Sequence, residues 1–274
     1  KIVYIYPVNS KQKLTEARVY IENALQNGYR FKTSEYLSRG WKTFTENPGG
    51  YIGFAVLYFV ISMFVGLIPI IGFLISLFIN PPLSVGIPIA AHRQTNENNM
   101  EFGNFFKGFD HIGQLVITYL IQLVIYMVLA IPVVISIGFG FFALMSDPTN
   151  TEATEEFGRQ LLAMWPVFLI VFLLAAYVGI SMRWAFFLVV FHKYDAMDAI
   201  RTSWKLVGKN WFVHFGFILL MALVMMLGLI ALLVGIVVAF PVVFAADYAA
   251  YADITGLNRD NSEIDEIGGL KDMV

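Results

Sequence analysis

The chain has 274 residues, of which 58% are hydrophobic and 14% charged, and its formal net charge is −2. Soluble domains usually carry about a quarter charged residues, so the composition indicates a membrane protein rather than one built on a large aqueous core. The near-neutral charge gives no indication of nucleic-acid binding. The absence of cysteine excludes disulfides, thiolate metal sites and cysteine nucleophiles.

Residues 1–50 form a cytoplasmic or interfacial N-terminal segment in our prediction. Apolar residues recur at helical spacing between Ser10 and Asn27, and Asn27-Gly28 is a helix stop. A second amphipathic helix starts at Thr33 or Ser34, carries Trp41 on its apolar side, and ends at Asn47-Pro48. A helix with an apolar-side Trp and basic flanks is typical of the lipid headgroup layer, and a soluble helix packed on its neighbours is the alternative.

Six apolar stretches are long enough to cross a hydrocarbon core of about 30 Å. The predicted fold class is therefore an all-α integral membrane protein with six transmembrane helices, arranged as three antiparallel hairpins within residues 51–254. The predicted spans are 51–66, 70–91, 113–145, 161–181, 211–227 and 229–250, and the fourth should continue as one helix through Arg183 towards His192. Asn80-Pro81-Pro82 should break the second span, Pro132 should kink the third, and Pro241 should bend the sixth.

Three polar segments complete the predicted organisation. A further interfacial helix around Phe102–Phe109 precedes the third span. An acidic loop covers 146–159, and an acidic cytoplasmic tail covers 255–274.

The basic residues predict the orientation. Eight of the 18 lysines and arginines precede the first span, whereas the turns near residues 66 and 228 have none. Six spans with both termini cytoplasmic satisfy the positive-inside rule at every loop.

The chain contains an internal repeat at a separation of 163 residues. We interpret 34–93 and 197–254 as parallel repeat units, related by an axis near the membrane normal and each introduced by a membrane-surface helix. Phe106-Lys107 is a candidate remnant of a third copy. The ungapped identities are Trp41/Trp204, Lys42/Lys205, Asn47/Asn210, Gly53/Gly216, Phe54/Phe217, Leu57/Leu220, Met63/Met226 and Gly72/Gly235.

One stretch carries a family resemblance. Its residues are Arg183-Trp184, Ala199, Ser203-Trp204-Lys205-Leu206 and Asn210-Trp211, followed by an apolar hairpin. It resembles the membrane domain found ahead of some glycerophosphodiester phosphodiesterases and the stand-alone YciC-like bacterial proteins, over most of residues 34–253. The resemblance implies a multi-pass protein of the bacterial inner membrane, mostly of unknown role. The family's catalytic part is a separate soluble barrel, so no catalytic residue carries over.

Two charges, Arg183 and Asp247, fall inside the apolar zone at similar depth. Intramembrane charges usually pair or mark a pathway. We expect an Arg183–Asp247 ion pair, or Arg183 reaching up to lipid phosphate; a site coupling ion or proton transport is the alternative.

Gln114, Thr118 and Gln122 form a polar stripe at i, i+4 and i+8 at the start of the third span. Such a stripe faces protein or water rather than lipid. Hydrogen bonding between helices is the first interpretation. A polar path for a substrate is the second.

The remaining candidates are anchors and histidines. We expect the surface helices to be anchored to lipid headgroups by five residues: Trp41, Lys42, Trp204, Lys205 and Lys209. These lysines could also bind anionic lipid.

The four histidines all lie near the predicted cytoplasmic face, but none is paired with another at i, i+3 or i+4. They are His92, His111, His192 and His214. We therefore expect no metal and no cofactor; a membrane metalloenzyme that binds iron or zinc through these histidines is the third alternative.

The sequence favours a non-enzymatic function. We expect a scaffold or accessory subunit that binds a membrane partner or lipid, with the lipid bilayer as its surroundings and no nucleic acid as partner. A small-solute or ion transporter or channel, using the polar stripe and the intramembrane charges, is the alternative.

Overall fold

The computed structural model describes residues 10–146, 151–231 and 234–258, which form twelve α-helices and one 3-10 helix and contain no β-strand. The helices are α1 (Ser10–Asn27), α2 (Thr33–Glu46), α3 (Pro48–Gly66), α4 (Ile71–Ser84), α5 (Gly86–Glu97), the 3-10 helix (Phe102–His111), α6 (Ile112–Ser146), α7 (Thr151–Ala163), α8 (Trp165–Met182), α9 (Ala185–His192), α10 (Ala196–Lys209), α11 (Trp211–Ile230) and α12 (Val234–Ile254).

Within the described ranges, six segments are long and apolar enough to span a membrane, which confirms the predicted all-α, six-span fold class. These segments are Pro48–Gly66, Ile71–Glu97, Phe102–Ser146, Trp165–His192, Trp211–Ile230 and Gly235–Ile254. Residues 1–9, and the tail beyond Asn258, lie outside the described residues.

The predicted loop over 146–159 is wrong for the residues that are described, because α7 begins at Thr151 and continues to Ala163. Three of the acidic residues that suggested a loop, Glu152, Glu155 and Glu156, lie in the first half of this helix. Glu152 occupies its first turn, where a negative charge is favourable next to the positive end of the helix dipole.

The second span is broken after its prolines rather than at them. Pro81 and Pro82 lie inside α4, which continues to Ser84, and the break falls at Val85. The Ser84 hydroxyl donates to the carbonyl oxygen of Pro81 at 2.8 Å and satisfies a backbone acceptor at the break. Close packing also fixes the position of the break, because a Cβ on Gly86 would lie 2.4 Å from the carbonyl oxygen of Phe105 in the 3-10 helix.

The three hairpins form a closed ring. The hairpins are α3 with α4–α5, α6 with α8–α9, and α11 with α12. The second span of each hairpin contacts the first span of the next: α4 packs on α6, α8 on α11, and α12 on α3.

Three surface helices, α2, the 3-10 helix and α10, each precede one hairpin and pack on the hairpin before it in the ring. The 3-10 helix packs on α4 and α5, and α10 packs on α8 and α9. The first surface helix, α2, packs on α12, the last helix of the described residues, and so closes the ring. Gly40 permits this contact: its Cβ position lies 2.6 Å from both the amide nitrogen of Ala246 and the carbonyl oxygen of Val242.

Burial divides the bundle into two levels. The ends of the second spans that meet the surface helices are almost fully buried, at 85–91, 184–190 and 239–252 with few exceptions. The opposite ends of the hairpins expose large apolar side chains, including Phe64, Ile70, Phe142, Phe172 and Ile230. This exposure is expected where lipid replaces water as the surrounding solvent.

Helix boundaries in the two repeat units have the same spacing as the sequence identities. Each of three boundary pairs is 163 positions apart: Thr33 and Ala196, Glu46 and Lys209, Ile71 and Val234. Asn47 and Asn210 also end their helices alike, with φ and ψ near −145° and 59°, and −136° and 43°.

Candidate functional site

The candidate site is built around the turn between α8 and α9, where Arg183 and Trp184 lie. The sequence predicted one continuous helix here, whereas the structure has a helix end at Met182 and a new start at Ala185. Ser203 of α10 occupies the turn: its hydroxyl accepts the backbone N–H of Trp184 at 3.2 Å and donates to the carbonyl oxygen of Ser181 at 2.9 Å. Both backbone groups at the break therefore have a hydrogen-bond partner.

The structure brings Arg183 and Asp247 together in an ion pair between this turn and α12. The two side chains are 8% and 17% exposed, so the pair is largely withdrawn from solvent. The indole Nε1–H of Trp184 also donates to the Asp247 carboxylate at 3.0 Å. One carboxylate thus holds both residues of the turn in place.

A hydrogen-bond chain continues from Arg183 to the loop between α1 and α2. Nη1 of Arg183 lies 3.3 Å from Nδ1 of His214, and Nε2 of His214 lies 2.7 Å from the hydroxyl of Tyr29. The Tyr29 hydroxyl donates to the carbonyl oxygen of Leu206 at 2.8 Å. Burial raises the pKa of Tyr29, an effect that the positive charge of Arg183 partly opposes, so this hydroxyl keeps its proton.

The directions of these hydrogen bonds determine the tautomer and the charge of His214. Because the Tyr29 hydroxyl donates its proton to the carbonyl oxygen of Leu206, Nε2 of His214 must be the donor to the Tyr29 oxygen. Its Nδ1 is then an acceptor for Arg183, so the imidazole is neutral. The chain ends on a backbone carbonyl, which accepts hydrogen bonds but does not pass protons on. The arrangement is therefore suited to holding a buried charge pair and not to relaying protons.

A second polar contact joins α2 to the end of α12. The Tyr36 hydroxyl donates to the Asp253 carboxylate at 2.7 Å, and Lys32 lies 3.7 Å from the same oxygen. Burial and the hydrogen bond to Asp253 raise the pKa of Tyr36. This contact fixes the start of α2 against α12.

Each of the four histidines has a side-chain partner. Nδ1 of His92 lies 2.8 Å from the hydroxyl of Tyr248, and Nδ1 of His192 lies 2.5 Å from the hydroxyl of Tyr251. His111 lies 3.0 Å from the Lys193 amine. No group of three or more histidine, aspartate or glutamate side chains in the described ranges is placed to hold a metal ion.

The polar stripe is partly used in hydrogen bonds. Oε1 of Gln114 accepts the backbone N–H of Ala196 at the start of α10, at 3.1 Å. The Thr118 hydroxyl donates to the backbone carbonyl of Gln114 at 2.7 Å, and Gln122 is half-buried. The contact from Gln114 joins α6 to α10, as an interhelical hydrogen bond does.

The five candidate anchors lie on two surface helices. On α2, Trp41 is 53% exposed, and the Lys42 amine lies 4.0 Å from the Glu46 carboxylate. On α10, Lys205 and Lys209 are exposed, whereas Trp204 is half-buried with its ring 5.5 Å from that of Tyr177.

Sequence reasoning missed several residues that build the site. Tyr29 lies 185 positions from His214, and nothing in the local pattern of either residue indicates the contact. Ser203 lies in the stretch that carries the family resemblance, and its special role in the turn could have been inferred because the repeat pairs it with Gly40. The two positions differ in what they require: Ser203 uses its hydroxyl to bond the turn between α8 and α9, whereas Gly40 must lack a side chain to pack on α12.

Scans against protein-family models, curated proteins and solved structures returned no match to this chain. The site is therefore interpreted from its own geometry.

Proposed function

We propose that this protein is a non-catalytic integral membrane protein that serves as a scaffold or accessory subunit for a membrane partner or lipid. The observation that supports this function is the use made of the buried polar groups. Arg183, Asp247 and Trp184 bind one another, and the chain through His214 ends on a backbone carbonyl. Groups that would otherwise be candidates for chemistry are occupied in holding helices together.

The same proposal includes the location and ancestry of the chain. We place it in the bacterial inner membrane with both termini cytoplasmic, as a relative of the membrane domain associated with glycerophosphodiester phosphodiesterases. The basic residues before the first span and the equal spacing of the α2 and α10 boundaries favour this topology and the repeat.

Purification in a mild detergent, followed by mass spectrometry of everything retained, tests the function. A scaffold or accessory subunit should retain one membrane protein or one lipid class in a constant ratio to the chain. The matched control is the same preparation carrying Gly40→Leu, which should disrupt the contact between α2 and α12 and release the retained component. Purified protein that retains neither, over repeated preparations, would contradict the proposal.

Transport is the second candidate, and one cleft favours it. A cavity of about 380 Å³ between α3 and α4 is lined by four polar side chains, those of Tyr58, Ser62, Ser76 and Asn80, together with seven apolar or glycine residues. Polar groups in a membrane hairpin are costly unless they serve packing or a pathway. Solute flux into vesicles that falls with Asn80→Leu, but not with the exposed-surface control Leu74→Ala, would favour transport over the scaffold.

A further inference from the structure

A groove of about 510 Å³ lies between the end of α1 and the C-terminal half of α10. Leu25, Trp204, Lys205, Gly208 and Lys209 line it. Lys209 is two positions before Trp211, the first residue of the fifth span. The groove therefore lies where a helix enters the membrane, at the depth of lipid headgroups.

The lysines of this groove differ from most other basic side chains described by the structure. Arg18 lies over the ring of Tyr194, Arg93 donates to Asn104, Lys193 contacts His111, and seven others lie within 4.0 Å of a carboxylate oxygen. Among the described basic side chains, only Arg30, Lys205 and Lys209 have no such partner. Both lysines are also exposed and four positions apart on one helix, a spacing at which like charges repel.

The other surface helix supplies an internal comparison. Positions 41, 42 and 46 of α2 correspond to 204, 205 and 209 of α10. Trp and Lys are kept in both copies, but the Glu46 that faces Lys42 is replaced by Lys209. General anchoring explains a Trp-Lys pair in both helices. It does not explain why α10 has a second cation, Lys209, at the position where α2 has the carboxylate of Glu46. Lys209 also lines a groove whose other wall includes Leu25 of α1.

We propose that this groove binds the phosphate group of an anionic phospholipid. Lys205 and Lys209 supply the two charges that attract the phosphate, and Trp204 with Leu25 supplies an apolar wall for the glycerol and the first part of the acyl chain. This site would specify the lipid class that the proposed scaffold binds. It rests on the proposed function, because the lipid is taken to be a bound ligand and not a substrate.

Native mass spectrometry of the full chain tests the site. The protein is mixed with equal amounts of phosphatidylglycerol and phosphatidylcholine of distinguishable mass, and the ratio of the two adducts is measured. Wild-type protein should prefer phosphatidylglycerol. Lys205→Gln with Lys209→Gln should reduce that preference about 25-fold, because each surface cation contributes about a fivefold gain in affinity for anionic lipid.

Two further variants make the test specific. Lys209→Glu restores the lysine–carboxylate spacing of α2 and should also lose the preference. Lys107→Gln removes one cation from the 3-10 surface helix, where Asp110 already faces it, and should leave the preference unchanged. The inference is overturned if the double variant keeps the preference, if Lys107→Gln loses as much of it, or if an excess of inorganic phosphate displaces the lipid.

The mass of the bound lipid separates this inference from the proposed function. An adduct at the unaltered lipid mass supports both. A preference that depends on Lys205 and Lys209, combined with a lipid whose mass changes during incubation, supports the site and contradicts the non-catalytic function.

Discussion

At the scale of single residues, the most consequential group is the Asp247 carboxylate. It accepts from the Arg183 guanidinium and from the Trp184 indole, so one side chain of α12 secures both residues of the turn between α8 and α9. Removing one member of a buried ion pair is far more costly than replacing the whole pair by apolar groups, because the remaining charge is left uncompensated.

Asp247→Asn should therefore lower the free energy of unfolding by about 2–3 kcal/mol, a value reduced from the fully buried case because the carboxylate is partly exposed. The substitution keeps the shape of the side chain and removes only its charge. Thermal unfolding in detergent measures the loss.

The control for this experiment is the double variant Arg183→Met with Asp247→Leu. It removes both charges together and should recover most of the lost stability. A double variant as unstable as Asp247→Asn would show that packing at the turn, and not the uncompensated charge, accounts for the loss.

At the scale of elements, the contact between α2 and α12 depends on one missing side chain. Backbone atoms of α12 occupy the space where a Cβ of Gly40 would lie, and a backbone cannot move aside as a flexible side chain can. Tyr36 and Phe44 are buried on the same face of α2, so a displaced helix would also lose their packing.

Gly40→Ala should destabilise the protein by about 1–3 kcal/mol, the usual range for overpacking a core. Gly216→Ala in α11 is the matched control, because no heavy atom lies within 4 Å of its Cβ position. That variant should be neutral or gain up to about 1 kcal/mol from the better helix propensity of alanine. Equal melting temperatures for the two variants would argue against a close contact at Gly40.

The elements that were predicted well are those whose causes are local. Asn47 and Asn210 mark the ends of α2 and α10 in the sequence, and the structure ends both helices there. Hydrophobic runs likewise predicted all six spans, because length and polarity alone decide whether a helix can cross a bilayer.

The elements that were predicted poorly depend on distant partners. The break at Val85 depends on the 3-10 helix packed against Gly86, and the break at Arg183 depends on the Ser203 hydroxyl and Asp247. Neither partner is adjacent in sequence, so periodicity cannot reveal the contact. The α7 helix was missed for another reason, since its polar composition resembles that of a loop.

At the scale of the whole molecule, the proposed orientation can be tested directly because the chain has no cysteine. Ile70→Cys lies in the exposed turn between α3 and α4, and Arg201→Cys lies on the exposed face of α10. A membrane-impermeant maleimide applied to intact cells should label the first position. The second should react only after the membrane is permeabilised. Labelling of Arg201→Cys in intact cells would contradict cytoplasmic termini.

The ring also sets an order of events during synthesis. The 3-10 helix and α10 leave the ribosome after the spans on which they pack, so each finds its partner already made. The α2 helix leaves it about two hundred residues before its partner, since Gly40 packs on Val242 and Ala246. At roughly 5–20 residues per second, the apolar face of α2 stays uncovered for about 10–40 s before α12 is synthesised. A nascent chain therefore exposes an amphipathic helix to membrane chaperones and proteases until α12 has been made, and a chain that ends before α12 never covers it.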